Sequence, residues 1–337
     1  MKRRGLFSAL IKTREDEMSS RVNPFMLVFS ILLAVLLLYF TLRDLDWTNF
    51  FVTLQNADYL YLPLVLLWNS AGFFVRGLRL RALLSSGNEL PVSNVFFANM
   101  AGYLGNNILP ARAGELIRAA YLARQNKISA SYALTVGLVE RLMDLIALIV
   151  LGSFALSATG IASFVSQNVL RGIAILGLIG LAGVFITPYF ESFLRNMIQH
   201  LPFIKETFKL KLDQFLQQFI TGLKSIHGVA RISQFTGLTG LIWFMDAVGA
   251  VLLAFILKIP LKLQHAFILL FALGLSSAIP STPGYVGVYQ FAAVVALTPF
   301  GISKADALAF ILMSQFLGYI VIGFWGLLSL WQFNKRQ

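Results

Sequence analysis

Cysteine is absent from the 337 residues, which removes disulfides, thiolate metal sites and cysteine nucleophiles. Histidine is nearly absent. His200, His227 and His265 are scattered without ligand spacing, so neither a histidine-built metal centre nor any cofactor is expected. Charge is scarce as well, at 12% of residues against roughly a quarter in a soluble domain. No phosphate-cradling Walker sequence and no GxSxG is present, and no polar stretch is longer than 188–232. ATP-driven pumping by this chain and a soluble catalytic unit are therefore not expected.

What fills the chain is apolar: 58% hydrophobic residues, 30 of them phenylalanine, and a mean hydropathy of +0.76. The expected class is an all-α integral membrane protein. Six stretches are long enough to span, near 24–42, 59–80, 132–157, 168–187, 234–257 and 306–331. The first follows a polar segment without a small-residue cleavage site, so it reads as a retained anchor. Two more apolar stretches, 92–126 and 264–300, are broken near their middles. The second arm of 92–126 carries Arg112, Glu115, Arg118 and Arg124, too much charge to cross lipid. It reads as a hairpin that enters and returns, tolerated only where protein or water surrounds it. The stretch 264–300 reads as either a second re-entrant hairpin or a tight pair of spans.

The basic residues set the orientation. Placing both termini in the cytoplasm puts 20 Lys/Arg on that side and five outside, with Arg112 and Arg141 within the membrane. The net charge of +12 then serves to orient the chain and to touch anionic lipid at the cytoplasmic face, so no nucleic acid is expected. The organisation that follows is a cytoplasmic tail over 1–23, a polytopic domain over 24–333 and a short cytoplasmic tail over 334–337. Inside the domain lie one repeat over 58–157, an amphipathic connector over 188–232 and a second repeat over 234–331. A multi-pass protein of the plasma or inner membrane is expected.

The repeats are legible in the residues. Ile108-Leu109-Pro110-Ala111-Arg112-Ala113-Gly114 is echoed by Ala278-Ile279-Pro280-Ser281-Thr282-Pro283-Gly284, with the prolines 170 positions apart. Ile128-Ser129 is echoed by Ile302-Ser303, 174 apart. With the orientation above, the two copies run upside-down relative to each other. Inverted repeats with Pro/Gly-interrupted segments point to a transporter with a midplane site.

The first hairpin carries the sharpest candidates. Pro110 suits the first turn of a helix, whose free N–H groups and dipole favour anions, and Arg112 adds a full charge there. Glu115 is spaced to pair with Arg112 or Arg118, and Gly114 leaves room for close approach. A lipid phosphate or carboxylate suits this set, while the bland reading is an ion-pair cluster that locks the hairpin. Glu140, Arg141 and Asp144 lie roughly 12–18 Å into their helix. They read either as a coupling or gating relay or as neutralisation of Arg112 or Arg118 across helices. Arg141 and Asp144 are spaced to pair with each other.

In the second hairpin Ser281 or Thr282 can cap the helix that Pro283 begins, with Gly284, Gly287 and Gln290 lining its first turns. Asp246 is an isolated acid able to pair with a hairpin. Arg76, Arg79 and Arg81 read as snorkelling anchors, with headgroup contact as the alternative. The segments around Trp47–Leu54 and Phe208–Leu223 read as interfacial helices, with core packing as the alternative.

Three segments carry a family resemblance. Gly102-Tyr103-Leu104-Gly105-Asn106-Asn107-Ile108-Leu109-Pro110-Ala111-Arg112-Ala113-Gly114-Glu115-Leu116-Ile117-Arg118-Ala119 resembles the signature of the flippase-like family typified by the lysylphosphatidylglycerol synthase transmembrane domain. Glu140-Arg141-Leu142-Met143-Asp144 resembles its second signature and Ile279–Gly287 its third, in the same order. The resemblance implies a polytopic prokaryotic membrane protein and lipid translocation, and it adds Asn106 and Asn107 to the substrate-facing candidates. Relatives of this kind also carry a soluble aminoacyl-transferase domain or accompany glycosyltransferases and polyprenyl-linked sugar pathways. Synthase activity is not expected of this chain.

The leading expectation is therefore flipping of a phospholipid or polyprenyl-linked headgroup by a non-enzyme. Asn106, Asn107, Arg112, Gly114, Glu115, Arg118, Ser281, Thr282, Gly284 and Gln290 would face the substrate, with Glu140, Arg141, Asp144 and Asp246 in coupling. The alternatives are a membrane-embedded headgroup transferase and an accessory subunit of a membrane glycosyltransferase. A homo-oligomer is a further possible assembly.

Overall fold

The computed structural model describes residues 24–84, 90–109, 113–126, 128–158, 172, 175, 177–180, 182–183, 186–200, 206–224, 229–277 and 282–335. Every regular element among them is helical. In chain order these are α1 (Pro24–Leu42), α2 (Trp47–Gln55), α3 (Leu62–Leu84), α4 (Val92–Ile108), α5 (Gly114–Asn126) and α6 (Ala130–Ala158). They are followed by α7 (Glu191–Gln199), α8 (Glu206–Lys224), α9 (Val229–Ile256), α10 (Leu263–Ser276), α11 (Val288–Leu297) and α12 (Lys304–Lys335). The expected N-terminal tail over 1–23 and half of the expected span 168–187 fall outside the described residues. So do both hairpin tips, with Arg112 on the first and Ser281 on the second.

Among the described residues, only the stretch Ala230–Ile256 and α12 are long and apolar enough to cross a membrane unaided. A third is reached if α1 is joined to α2 across their 87° bend. The expected spans over α3 and α6 are not among them. Each carries three ionisable residues: Arg76, Arg79 and Arg81 on α3, and Glu140, Arg141 and Asp144 on α6.

Packing joins the two halves reciprocally. Helix α4 lies against α12, α10 lies against α6, and α3 lies against α9. Without a hydrophobic drive between helices in lipid, small residues that admit a neighbour's side chain hold such crossings together. At Gly326 of α12 an added Cβ would stand 2.7 Å from Cβ of Leu104 on α4; at Gly152 of α6 it would collide with Phe271 of α10. Gly152 and Gly326 are 174 positions apart, the same offset as the repeated Ile-Ser pairs. Each half also has its own apolar cluster. One centres on Leu80, Val95, Leu122 and Val136, the other on Leu253, Leu269, Leu297 and Leu308.

The small helices split between the two readings open to them. In α2, Phe50 is buried while Trp47 and Phe51 are exposed. Asp46 caps the helix by accepting from the Asn49 N–H at 3.0 Å. In α8, Ile220 and Leu223 are buried while Phe208 and Phe215 are exposed. Gly222 sits close enough to α6 that a Cβ there would stand 3.2 Å from Thr135. Helices α7 and α8 are clipped by Arg195, whose Nε and Nη2 donate to the two carboxylate oxygens of Asp213 at 2.8 and 2.9 Å. That hydrogen bonding holds the Asp213 carboxyl below the usual carboxylate range.

Candidate functional site

The first hairpin closes on glycine. A Cβ at Gly114 would overlap the Gly102 carbonyl oxygen and stand 2.5 Å from the Asn106 amide nitrogen, so α5 can start only this close to α4 if residue 114 has no side chain. The closeness brings Glu115 and Arg118, one turn apart on α5, onto the charged face of α6.

There the ionisable residues form one continuous chain. Arg79 of α3 donates from Nη2 to Asp144 at 2.9 Å and to Glu140 at 2.9 Å. Glu140 also accepts from Arg118 Nη1 at 2.8 Å. Arg118 pairs in turn with Glu115 at 2.7 Å, and Glu115 with Arg141 at 2.7 Å. Asn99 of α4 accepts from Arg118 at 3.0 Å, and Arg79 also lies over the Phe235 ring. Gly137 makes room for the Arg118 guanidinium, which a Cβ there would strike. A charge buried in this way is tolerable because each is matched at hydrogen-bond distance.

Several expectations change at this point. Arg79 is no snorkelling anchor: it is 2% exposed and bridges two acids. Arg76 points inward to pair with Asp246 of α9, so Asp246 meets α3 and not a hairpin. Arg81 donates to the Leu90 carbonyl at 2.6 Å. Arg141 and Asp144 do not pair with each other; each has a partner on another helix. Glu140 neutralises Arg118, as one of the two readings held, and Arg79 besides.

Beside this cluster lies a cavity of about 330 Å³. Its walls come from α3 (Trp68, Phe73, Arg76), α4 (Tyr103), α6 (Arg141, Asp144), α9 (Trp243, Asp246) and α12 (Ser314, Gly318). Counted from the helix starts at 1.5 Å per residue, Phe73, Arg141, Trp243 and Ser314 all fall roughly 15–21 Å along their helices. The cavity therefore sits well inside the lengths of these four helices.

Its lining repeats. Gly72, Phe73 and Arg76 stand 170 positions before Ile242, Trp243 and Asp246, and all six line the cavity. Sequence inspection missed Tyr103, Trp68 and Trp243 as lining residues, and read Arg79 as an anchor or headgroup contact. The 170-residue offset, applied to Arg76, would have led to Asp246 directly.

The second hairpin is built from uncharged groups. Thr282 does not cap a helix; its hydroxyl donates to the Val286 carbonyl at 3.1 Å. Pro283–Tyr285 forms one 3₁₀ turn, and the helix proper begins at Val288. Gln290 supplies the cap from within by accepting from the Gly287 N–H at 2.7 Å, and its amide donates to Gln315. Gln315 and Tyr319 of α12 both donate to the Gly284 carbonyl, at 3.0 and 2.9 Å. The Pro283–Tyr285 turn rests against α4 of the first hairpin.

Of the expected substrate-facing residues, Glu115 and Arg118 join the ion chain, and Gly284 and Gln290 join this amide network. Asn106 lies against Gly114 with its Oδ1 buried and unpartnered, and Asn107 is half-buried beside it. None of these six lines the cavity; Arg141, Asp144 and Asp246 do. Among the described residues no group of His, Asp or Glu is placed to hold a metal.

The chain matches the family described as the lysylphosphatidylglycerol synthase TM region over residues 27–326. It is similar to the glycosyltransferase AglD of Haloferax volcanii, at 25% identity over 319 residues, covering 84% of this chain and 50% of that protein. The chain thus spans about half the length of that relative. It is also similar to UPF0104 membrane proteins of Methanocaldococcus jannaschii (25% identity, 66% of this chain and 90% of that protein) and Methanothermobacter thermautotrophicus (24%, 80% of each). No solved structure matches.

Proposed function

Because the chain belongs to the family of the lysylphosphatidylglycerol synthase transmembrane region, a family of membrane proteins, we propose that it carries the polar headgroup of a lipid or lipid-linked substrate between leaflets. The observation that carries this reading is the polar cavity of about 330 Å³ at mid-helix depth, walled by equivalent residues of the two repeats. A cavity of that size takes a headgroup and leaves acyl chains in the lipid. The repeats are read as inverted, with both termini cytoplasmic, six spans and two hairpins. The reciprocal α4–α12 and α6–α10 crossings and the docking of Gly284 halfway along α12 support that arrangement.

In this reading Arg141, Asp144 and Asp246 contact the headgroup from the cavity wall. Glu115, Glu140 and Arg118 form the scaffold that positions Arg141, and Arg112 on the hairpin tip offers the entering headgroup a cation. No chemical step is assigned to the chain. The test is leaflet exchange of a fluorescent-headgroup lipid in proteoliposomes. Arg112→Ala and the cavity-filling Gly318→Leu should each reduce exchange to the protein-free rate while the protein stays folded. Undiminished exchange in both would refute the reading. Single cysteines at Asn107 and Ser281, labelled from each side, should be reachable from opposite faces.

A second reading draws on one relative's name, glycosyltransferase AglD. The chain would act as the membrane partner of a glycosyl-transfer step, a reading that predicts a stable complex with a transferase and no exchange by the purified chain.

A further inference from the structure

We propose that the mid-depth cavity is built for an uncharged, hydroxyl-rich headgroup, a single sugar ring in size and chemistry, in preference to an anionic one. This rests on the reading above that the cavity receives a headgroup. Three observations converge on it. The first is charge. In the buried cluster and cavity wall, Arg76, Arg79, Arg118 and Arg141 are matched by Glu115, Glu140, Asp144 and Asp246, each within an ion pair. A site whose described charges already cancel offers no surplus cation to offset the desolvation of a bound anion.

The second is a pair of unused donors. Arg141 Nε and Trp243 Nε1 are both buried without a hydrogen-bond partner, on side chains that line this one cavity from α6 and α9. Buried N–H groups are rarely left unmade, and two on side chains that line one cavity invite oxygen acceptors brought by a ligand. The carboxylates of Asp144 and Asp246 line the same space, and a carboxylate can only accept. A ligand that both accepts and donates suits this wall, as hydroxyl groups do and an ionised phosphate does not.

The third is shape. Trp68, Phe73, Tyr103 and Trp243 give the cavity flat apolar walls, suited to the C–H face of a ring whose edges carry hydroxyls. At about 30 Å³ per water, the cavity volume of about 330 Å³ corresponds to roughly ten waters, which is room enough for one sugar ring.

The test uses the full chain, delipidated and placed in phosphatidylcholine nanodiscs, with lipid retention read by native mass spectrometry. The arms are a monohexosyl diacylglycerol, phosphatidylglycerol and phosphatidic acid. The hexosyl lipid should be retained about tenfold better than phosphatidic acid, and Trp243→Phe should cost about tenfold in that retention through the lost N–H donor. Ser314→Leu, which fills the cavity without touching the ion chain, should do the same and stands in if Trp243→Phe does not fold. Better retention of either anionic lipid, still sensitive to Trp243→Phe or Ser314→Leu, overturns the sugar assignment and leaves the headgroup cavity standing. Retention of all three lipids unmoved by both substitutions overturns the cavity reading as well.

Discussion

Arg76 and Asp246 are 170 positions apart in the chain and form an ion pair across the contact between α3 and α9. The same interval separates Pro110 from Pro280. The pair thus joins two positions separated by the interval of the repeated motif, one carrying the cation and the other the anion.

A charge swap should reveal this pairing. Arg76→Asp or Asp246→Arg alone places two like charges together and should cost up to about 3 kcal/mol, the pair being about one-fifth exposed. The double swap should recover at least half of the summed loss, measured as a double-mutant cycle on thermal unfolding in detergent. A double variant as unstable as the sum of the singles would show that the two residues do not interact.

Glu140 should be the most costly acid to lose. It is 1% exposed and pairs with both Arg79 and Arg118, so Glu140→Gln weakens two buried pairs at once and should cost about 3–5 kcal/mol. Glu115→Gln should cost less, because Arg118 keeps Glu140 and the Arg141 side chain is 37% exposed. Unfolding midpoints of the two variants check the order, and a reversed order would contradict the ion chain.

The hairpin closure predicts a contrast between glycines. Gly114→Ala should destabilise by about 1–3 kcal/mol or more, because the new methyl meets backbone of α4. Gly323→Ala, on α12 with nothing within 4 Å of its Cβ, should stay within about 0.5 kcal/mol of the parent. Equal behaviour of the two would mean that α4 and α5 are not in this contact.

The clip between α7 and α8 should depend on pH. Asp213 has its folded-state pKa lowered by hydrogen bonds from Arg195. Its contribution is therefore present above the ordinary carboxylate range and is lost as pH falls through the lowered folded value. Hydrogen-exchange protection of Glu191–Gln199 should fall on acidification in the parent. In Asp213→Asn it should already be low at neutral pH and change little.

Much of the fold was legible because lipid imposes a simple rule: long apolar runs become helices, and breaks in them are marked by Pro and Gly. The boundaries of α1, α3, α6, α9 and α12 follow from those runs within a few residues, and the broken stretches 92–126 and 264–300 follow from Pro110 and Pro280. Less was legible at the site. Arg79 reads on paper like any arginine near a helix end, because local spacing says how far along a helix a charge lies and not which helix faces it. The same holds for Arg141 and Asp144, whose spacing suggests a pair that the structure does not form.

What the sequence determined by itself is the class and the family, since composition, periodicity and motif spacing are properties of the chain alone. Which acid meets which arginine was decided by tertiary structure. Ion pairing in a low-dielectric interior is set by distances of a few ångströms between helices remote in sequence, and those distances come from packing, here of Gly114 of α5 against α4 and of Gly137 beside Arg118. The cavity is likewise a product of five helices meeting, and no one of them encodes it.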